Sequence, residues 1–185
     1  DPKNYDRLIE IYEALAAHGY REVGQEYLQN VLDTAKQLDA YDSGRIYYYL
    51  GEYQKAYLAL DEARDKGGAD SYLYLGRAYA ATGDYNYASS VYNNYLSKQG
   101  PNAEIYNELG LCEMAKKEYQ NALAAFQAGK QIEGNSLMQT LCFNEIVAYE
   151  YLEDYQQAEV LMNAYLQNYP DDQTAIREQQ FLSTR

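Results

Sequence analysis

The sequence predicts an all-α chain, a right-handed α-solenoid of about five helix–turn–helix units closed by a C-terminal capping helix. Three observations predict it. The first is a repeated phrase: Gly51-Glu52-Tyr53-Gln54-Lys55-Ala56, Gly83-Asp84-Tyr85-Asn86-Tyr87-Ala88, Lys117-Glu118-Tyr119-Gln120-Asn121-Ala122 and Glu153-Asp154-Tyr155-Gln156-Gln157-Ala158. Its tyrosines fall at 53, 85, 119 and 155, in steps of 32, 34 and 36 residues. That period belongs to stacked supersecondary units, none of which buries its apolar face alone. The second is the recurrence of apolar residues at three- and four-residue intervals, without alternating strand-like runs. The third is the punctuation between helical stretches.

The spacing predicts helix pairs at 4–18 and 21–35, 38–50 and 53–66, 69–82 and 85–99, 103–116 and 119–132, and 136–152 and 155–168. A single helix follows at about 173–183. Gly19, Gly51 and Gly83 end the first helices of three pairs, where a left-handed residue is needed. Gly67-Gly68, Gly100-Pro101, Gly134-Asn135-Ser136 and Pro170-Asp171-Asp172 separate the pairs. Asp70, Asn102 and Ser136 are candidate N-caps. No long linker or low-complexity stretch interrupts the pattern. One continuous domain, 1–185, is therefore expected, with repeats at about 4–36, 37–68, 69–102, 103–138 and 139–172 and the capping helix at 173–185.

Small residues sit where paired helices are expected to cross: Gly44 with Ala56, Gly76 with Ala88 and Gly110 with Ala122, with Ala158 at the matching place in the fifth pair. A larger side chain at Ala88 would overpack its crossing. The last helix places Ile176, Phe181 and Leu182 on one side and Arg177, Glu178 and Gln179 on others. It reads as a cap over the final pair; the alternative is a helix that docks a partner.

The composition is acidic and tyrosine-rich. Among 185 residues there are 24 tyrosines, 3 phenylalanines and no tryptophan, and the net charge is −13. Rings with a polar tip suit surfaces that are half buried and half wet. A nucleic-acid partner is not expected, since it calls for a basic footprint. An anionic membrane would repel such a surface. No run approaches the length of a membrane span. The opening Asp1-Pro2-Lys3 leaves two localisations open: a protein exported or lipid-anchored after signal removal, or a cytoplasmic one.

No catalytic constellation assembles, and the expectation is a non-enzymatic protein without cofactor or metal. The one histidine, His18, ends the first helix, where the helix dipole favours it. Zinc spacing, dinucleotide-binding glycines and phosphate-loop patterns are absent. Cys112 and Cys142 read as small core residues, with a disulfide between neighbouring helices as the alternative.

These residues together resemble the tetratricopeptide repeat (TPR) family, whose 34-residue unit is a helix–turn–helix. The best unit carries Tyr72, Leu75, Gly76, Tyr79, Gly83, Tyr85, Ala88, Tyr92 and Tyr95. The next carries Tyr106, Leu109, Gly110, Tyr119, Ala122, Phe126 and Gly129. Before them stand Gly44, Tyr47, Gly51, Tyr53, Ala56, Leu60 and Ala63; after them, Tyr149, Tyr155, Ala158, Met162, Tyr165 and Pro170. The first pair fits at Ile11, Leu15, Gly19, Gly24, Leu28 and Val31 but lacks the Tyr-x-x-Ala step. Ile146 replaces the glycine found at 44, 76 and 110.

The resemblance implies a protein- or peptide-binding scaffold, with the first helix of each pair lining a concave groove. The implied groove residues are Tyr41, Arg45, Tyr48, Tyr74, Arg77, Asn107, Leu111, Phe143, Asn144 and Tyr151. Arg45 and Arg77 occupy equivalent places. They are read either as receivers of a carboxylate or as partners of Asp42 and Asp70. Some family members hold a chaperone's terminal carboxylate with lysines and asparagines. Here Asp42, Tyr74 and Glu108 stand at such places, and only Asn107 and Asn144 match, so that partner is not expected. An apolar peptide with positive charge suits the groove better. A monomer is expected, with weak self-association open. The alternative role is a structural or assembly subunit of an envelope complex, acting through self-association or the convex face.

Overall fold

A computed structural model describes residues 5–35, 38–64 and 68–185. Eleven helices and no strand occur among the described residues: α1 (Tyr5–Ala17), α2 (Arg21–Thr34), α3 (Ala40–Tyr49), α4 (Tyr53–Ala63), α5 (Gly68–Ala81), α6 (Tyr85–Gln99), α7 (Ala103–Ala115), α8 (Tyr119–Lys130), α9 (Met138–Tyr151), α10 (Tyr155–Asn168) and α11 (Gln173–Leu182). The expected helix start at residue 4, the repeat boundary at 36–37, the end of the 53–66 helix and Gly67 lie outside the described residues. The chain divides into two compact units, 1–84 and 85–185, and the boundary falls at the turn inside the third repeat.

One turn is used five times. Gly19, Gly51 and Gly83 take left-handed φ of +84°, +79° and +85°. Each is followed by a residue whose N–H reaches back to the first helix: Tyr20 to the Leu15 carbonyl at 2.8 Å, Glu52 to Tyr47 at 2.9 Å, Asp84 to Tyr79 at 3.0 Å. The fourth and fifth turns make the same closure, Glu118 to Glu113 at 2.9 Å and Asp154 to Tyr149 at 3.0 Å. There the left-handed residues are Lys117 and Glu153, at φ +64° and +61°. This six-to-one bond satisfies carbonyls that the helix end leaves open.

The caps depart in part from the sequence reading. Asn102 caps α7 as expected, accepting from the Ile105 N–H at 3.0 Å. Asp70 is no cap: it lies in the first turn of α5 and accepts the Tyr41 hydroxyl at 3.3 Å. Ser136 is none either; Asn135 Oδ1 receives the Leu137 N–H at 3.1 Å ahead of α9. Asp39, Asp154 and Asp172 cap α3, α10 and α11 with their carboxylates.

At Gly44 and Gly110 the small-residue signature works through the side chain one turn beyond the paired alanine. A Cβ on Gly44 would stand 2.5 Å from Leu60 Cγ, and one on Gly110 would stand 2.3 Å from Phe126 Cε1. Leu60 and Phe126 follow Ala56 and Ala122 by four residues and are fully buried. The first pair inverts the arrangement. Tyr12 takes the place of Gly44 on the first helix, and Gly24 takes the place of Ala56 on the second. A Cβ on Gly24 would stand 2.8 Å from Tyr12 Cδ2. In the fifth pair Ile146 keeps its side chain and packs in one cluster with Met162, whose unbranched thioether adapts to irregular space.

In unit 1 a core forms around Tyr12, Leu28 and Ile46. In unit 2, Ala122, Leu123, Phe126, Leu141 and Ala148 form one core, and Ile146, Ala158, Met162, Tyr165, Ala175 and Leu182 another. The last two residues seat α11 on the fifth pair, as a cap requires. Of the anchors read from the sequence, Leu182 is buried and Ile176 half-buried. Phe181 instead points outward, with the Arg185 guanidinium 4.5 Å above its ring.

Buried charge ties neighbouring helices in unit 2. Glu113 accepts the Ser89 hydroxyl at 2.8 Å and pairs with Lys116 at 2.7 Å. Glu145 accepts Gln127 at 2.8 Å and also receives Lys130. Cys112 is buried and Cys142 half-buried, and both thiols are free. Burial pushes the Cys112 thiol up to about 12, well away from nucleophilic use.

Candidate functional site

In unit 1 the first helices α1, α3 and α5 share a face of stacked tyrosines. Tyr48 and Tyr49 are consecutive on α3, and both meet the Tyr74 ring of α5, with centroids at 5.6 and 5.8 Å in edge-on geometry. Tyr12 of α1 adds a fourth ring 5.0 Å from Tyr49. Edge-to-face pairs of this kind add to the energy of plain burial. The Tyr49 hydroxyl donates to Glu13, and it stands 3.0 Å from the Tyr74 hydroxyl. Because the single Tyr49 proton goes to Glu13, Tyr74 is the donor in that second contact. Burial raises the pKa of both phenols. The face is therefore uncharged and aromatic at neutral pH.

Beside it lies Arg45, only 5% exposed. Its guanidinium binds Asp6 at 2.6 Å and Asp42 at 2.5 Å and covers the Tyr41 ring at 4.2 Å. Burial opposes the arginine's charge, but the two carboxylates outweigh it and raise its pKa. Of the two sequence readings of Arg45, the structure has the internal pair with Asp42. The guanidinium is a strut inside unit 1, with both terminal nitrogens engaged. Arg77 lies over the Tyr74 ring at 5.9 Å and is half-buried.

In unit 2 the first helices α7 and α9 present a different face. Asn144 Nδ2 donates to Asn107 Oδ1 at 2.9 Å, joining the two expected asparagines. Asn107 is buried, and the bond leaves the carbonyl oxygen of the half-buried Asn144 with capacity for a further partner. Leu111 and Tyr151 are exposed, and Tyr151 stacks on Tyr119 at 5.1 Å. Phe143 turns instead to Tyr165, at 5.7 Å.

The expected residues thus divide between the units: Tyr41, Arg45, Tyr48, Tyr74 and Arg77 lie in unit 1, and of Asn107, Leu111, Phe143, Asn144 and Tyr151 in unit 2 the two asparagines are joined to each other, while Phe143 and Tyr151 pack on Tyr165 and Tyr119. Sequence spacing did not reveal Asp6, Tyr12 and Glu13 as supports of the first group. The repeat period holds a signal for one of them: Glu13 lies 32 residues before Arg45 and 64 before Arg77, on the same rung. Among the described residues no group of three or more His, Cys, Asp or Glu side chains is placed to hold a metal ion. No described helix is long and apolar enough to cross a membrane.

A family model described as tetratricopeptide repeat matches residues 41–88 and 75–135, together just over half of the chain. No curated protein gives a significant match. Among solved structures, the chain is similar to a thermophilic TPR protein of Thermus thermophilus, with a TM-score of 0.73 and 16% identity over 98% of this chain and 100% of that one. It is similar to YrrB, a TPR protein with an unusual peptide-binding site, with a TM-score of 0.65 and 16% identity over 97% of this chain and 100% of that one. It is also similar to the second TPR domain of human RPAP3 in complex with an HSP70 peptide, with a TM-score of 0.57 and 17% identity over 64% of this chain and 97% of that one. At these identities the likeness is one of fold.

Proposed function

The chain belongs to the tetratricopeptide repeat family, and on that premise we propose that it is a non-enzymatic interaction scaffold that captures peptide segments on its first-helix faces. The carrying observation is the half-buried ring cluster of Tyr48, Tyr49 and Tyr74, which is rigid, uncharged and tied down by Glu13 and Tyr12. Rings held this way lose little freedom on binding and dominate interface energetics. Arg45 takes no part in contact in this reading; it braces the face from below. Arg77 and Tyr41 border it. In unit 2, the half-buried Asn144, braced by the buried Asn107, offers its carbonyl oxygen to a peptide backbone, and the exposed Leu111 and Tyr151 supply apolar surface. The five repeats and α11 serve as one interaction domain. With a net charge of −13, the partner is a segment with apolar anchors and positive charge.

The fold likeness to YrrB and to the RPAP3 domain, whose structures concern peptide binding, supports the class of function. Panning a random-peptide display library on the immobilised chain tests it. The reading expects enriched sequences with aromatic or aliphatic anchors beside Lys or Arg, and their loss on a Tyr74→Ala/Arg77→Ala variant. Equal enrichment on the variant contradicts it.

A further inference from the structure

In unit 2 a cleft is shared by three helices: Asn93 of α6 lines it together with Leu109 and Glu113 of α7 and Asn121 and Ala125 of α8. The second helix of one repeat thus sits over the pair that follows. Counted from the left-handed residue of each turn, Leu109, Glu113, Asn121 and Ala125 correspond to Ile11, Leu15, Val23 and Tyr27 of the first pair. Inside unit 2 the apolar members are covered, Leu109 at 8% and Ala125 at 5% exposure. At the first pair Ile11 is 39%, Val23 54% and Tyr27 39% exposed. Tyr20, three residues before Val23, extends the stripe and is 60% exposed.

Composition sharpens the contrast. Where the inner cleft has Glu113, Asn121 and Ala125, the outer face of α1–α2 has Leu15, Val23 and Tyr27; the exchange runs the other way only at Ala124, whose counterpart is Glu26. A repeat that only ends a stack needs a polar outer face. This one carries more apolar bulk than the cleft it corresponds to: Ile11, Leu15 and Tyr27 stand at places buried in unit 2, and Val23 stands where the exposed Asn121 is polar, and exposed apolar bulk of this kind marks an interaction surface.

We infer that the outer face of α1 and α2 docks a second copy of this chain, face to face about a two-fold axis. Two observations select that occupant. The seat is built for a helix, since α6 takes the corresponding seat in unit 2. Its rim also carries both signs of charge, with Arg7 and Arg21 exposed among Glu10, Glu22 and Glu26. A strongly basic or strongly acidic partner would meet like charge on part of that rim. A two-fold copy sets the bases of one patch against the acids of the other, as an isologous contact requires. Ile11, Val23 and Tyr27 then pack against their own equivalents. The inference is independent of peptide capture on the first-helix faces.

Sedimentation velocity on the full chain, from micromolar to near-millimolar concentration, tests it. The expected result is a concentration-dependent dimer. An Ile11→Gln/Tyr27→Gln variant, checked for unchanged helicity by circular dichroism, should weaken the dimer at least about tenfold. Leu58→Gln, which removes a side chain that is 69% exposed elsewhere in unit 1, should leave the dimer unchanged. A monomer at every concentration overturns the inference. So does a dimer that survives the double substitution, or one that Leu58→Gln dissolves equally well.

Discussion

The hydroxyl of Tyr74 donates to that of Tyr49 across 3.0 Å, and the Tyr49 hydroxyl donates in turn to Glu13, so one hydrogen-bond chain joins α5, α3 and α1. Tyr49→Phe removes the middle of that chain. The Tyr74 hydroxyl then loses its acceptor in a half-buried place, at a cost of about 1 kcal/mol. Chemical denaturation should show this loss for Tyr49→Phe and a smaller one for Tyr74→Phe, which leaves the Tyr49–Glu13 bond intact. Equal stability of the wild type and Tyr49→Phe would contradict the relay.

The close approach at Gly44 and Gly110 makes a second prediction. Gly110→Ala drives a methyl into the Phe126 ring, while Gly44→Ala meets the branch carbon Cγ of Leu60 and, at 3.2 Å, its backbone nitrogen. Each substitution gains helix propensity but overpacks the crossing, and the net loss should be about 1–3 kcal/mol. Phe126→Leu should restore part of the loss for Gly110→Ala in a double-mutant cycle. Additive effects would show that the two residues do not meet.

The left-handed turns at Lys117 and Glu153 are strained by their side chains. Lys117→Gly and Glu153→Gly should each stabilise by about 0.5–1 kcal/mol, since the left-handed penalty exceeds the entropy that glycine adds to the unfolded chain. Thermal denaturation reads the gain. A lower melting temperature for both variants would contradict the turn geometry.

Glu150 gives a pH dependence. Its Oε1 is buried without a hydrogen-bond partner, and burial, with the Glu178 charge beside it, pushes its carboxyl up to about 7. The folded state therefore holds the proton more tightly than the unfolded chain does. Between the ordinary carboxylate range and about pH 7 the folded form binds more protons, so this group's contribution falls as pH rises. Glu150→Gln should match the wild type near about pH 4 and exceed it by about 1 kcal/mol at about pH 8, a figure already reduced for solvent screening. Melting temperatures of the two proteins across that range decide it. A constant difference would remove Glu150 as the cause.

Most of the helical frame was legible because each repeat writes the same local chemistry. Glycine at the turn, tyrosine two residues on and alanine three further on are short-range signals, and each of the ten helices whose expected start is a described residue begins within two residues of it. Lys117 and Glu153 were not legible as left-handed, because any residue accepts that conformation when the six-to-one bond and packing impose it. Asp70 looked like a cap by type; α5 instead begins at Gly68 and leaves Asp70 to bind Tyr41. The candidate face was legible by rung, through Tyr48, Tyr74 and Arg77. Its supports were not, since Asp6 and Glu13 lie 39 and 36 residues from the side chains they hold. The inverted pair Tyr12 and Gly24 was hidden for the same reason: a signature of small-against-large reads as missing when the two helices exchange roles.

The most direct test of the central claim is ring-proton NMR of the tyrosines during titration with a display-selected peptide. The account predicts that the signals of Tyr48 and Tyr74 shift with saturation. The stacked pair Tyr57 and Tyr79, 4.4 Å apart and outside the proposed face, should stay in place. Movement of Tyr57 and Tyr79 with Tyr48 and Tyr74 unmoved would contradict it.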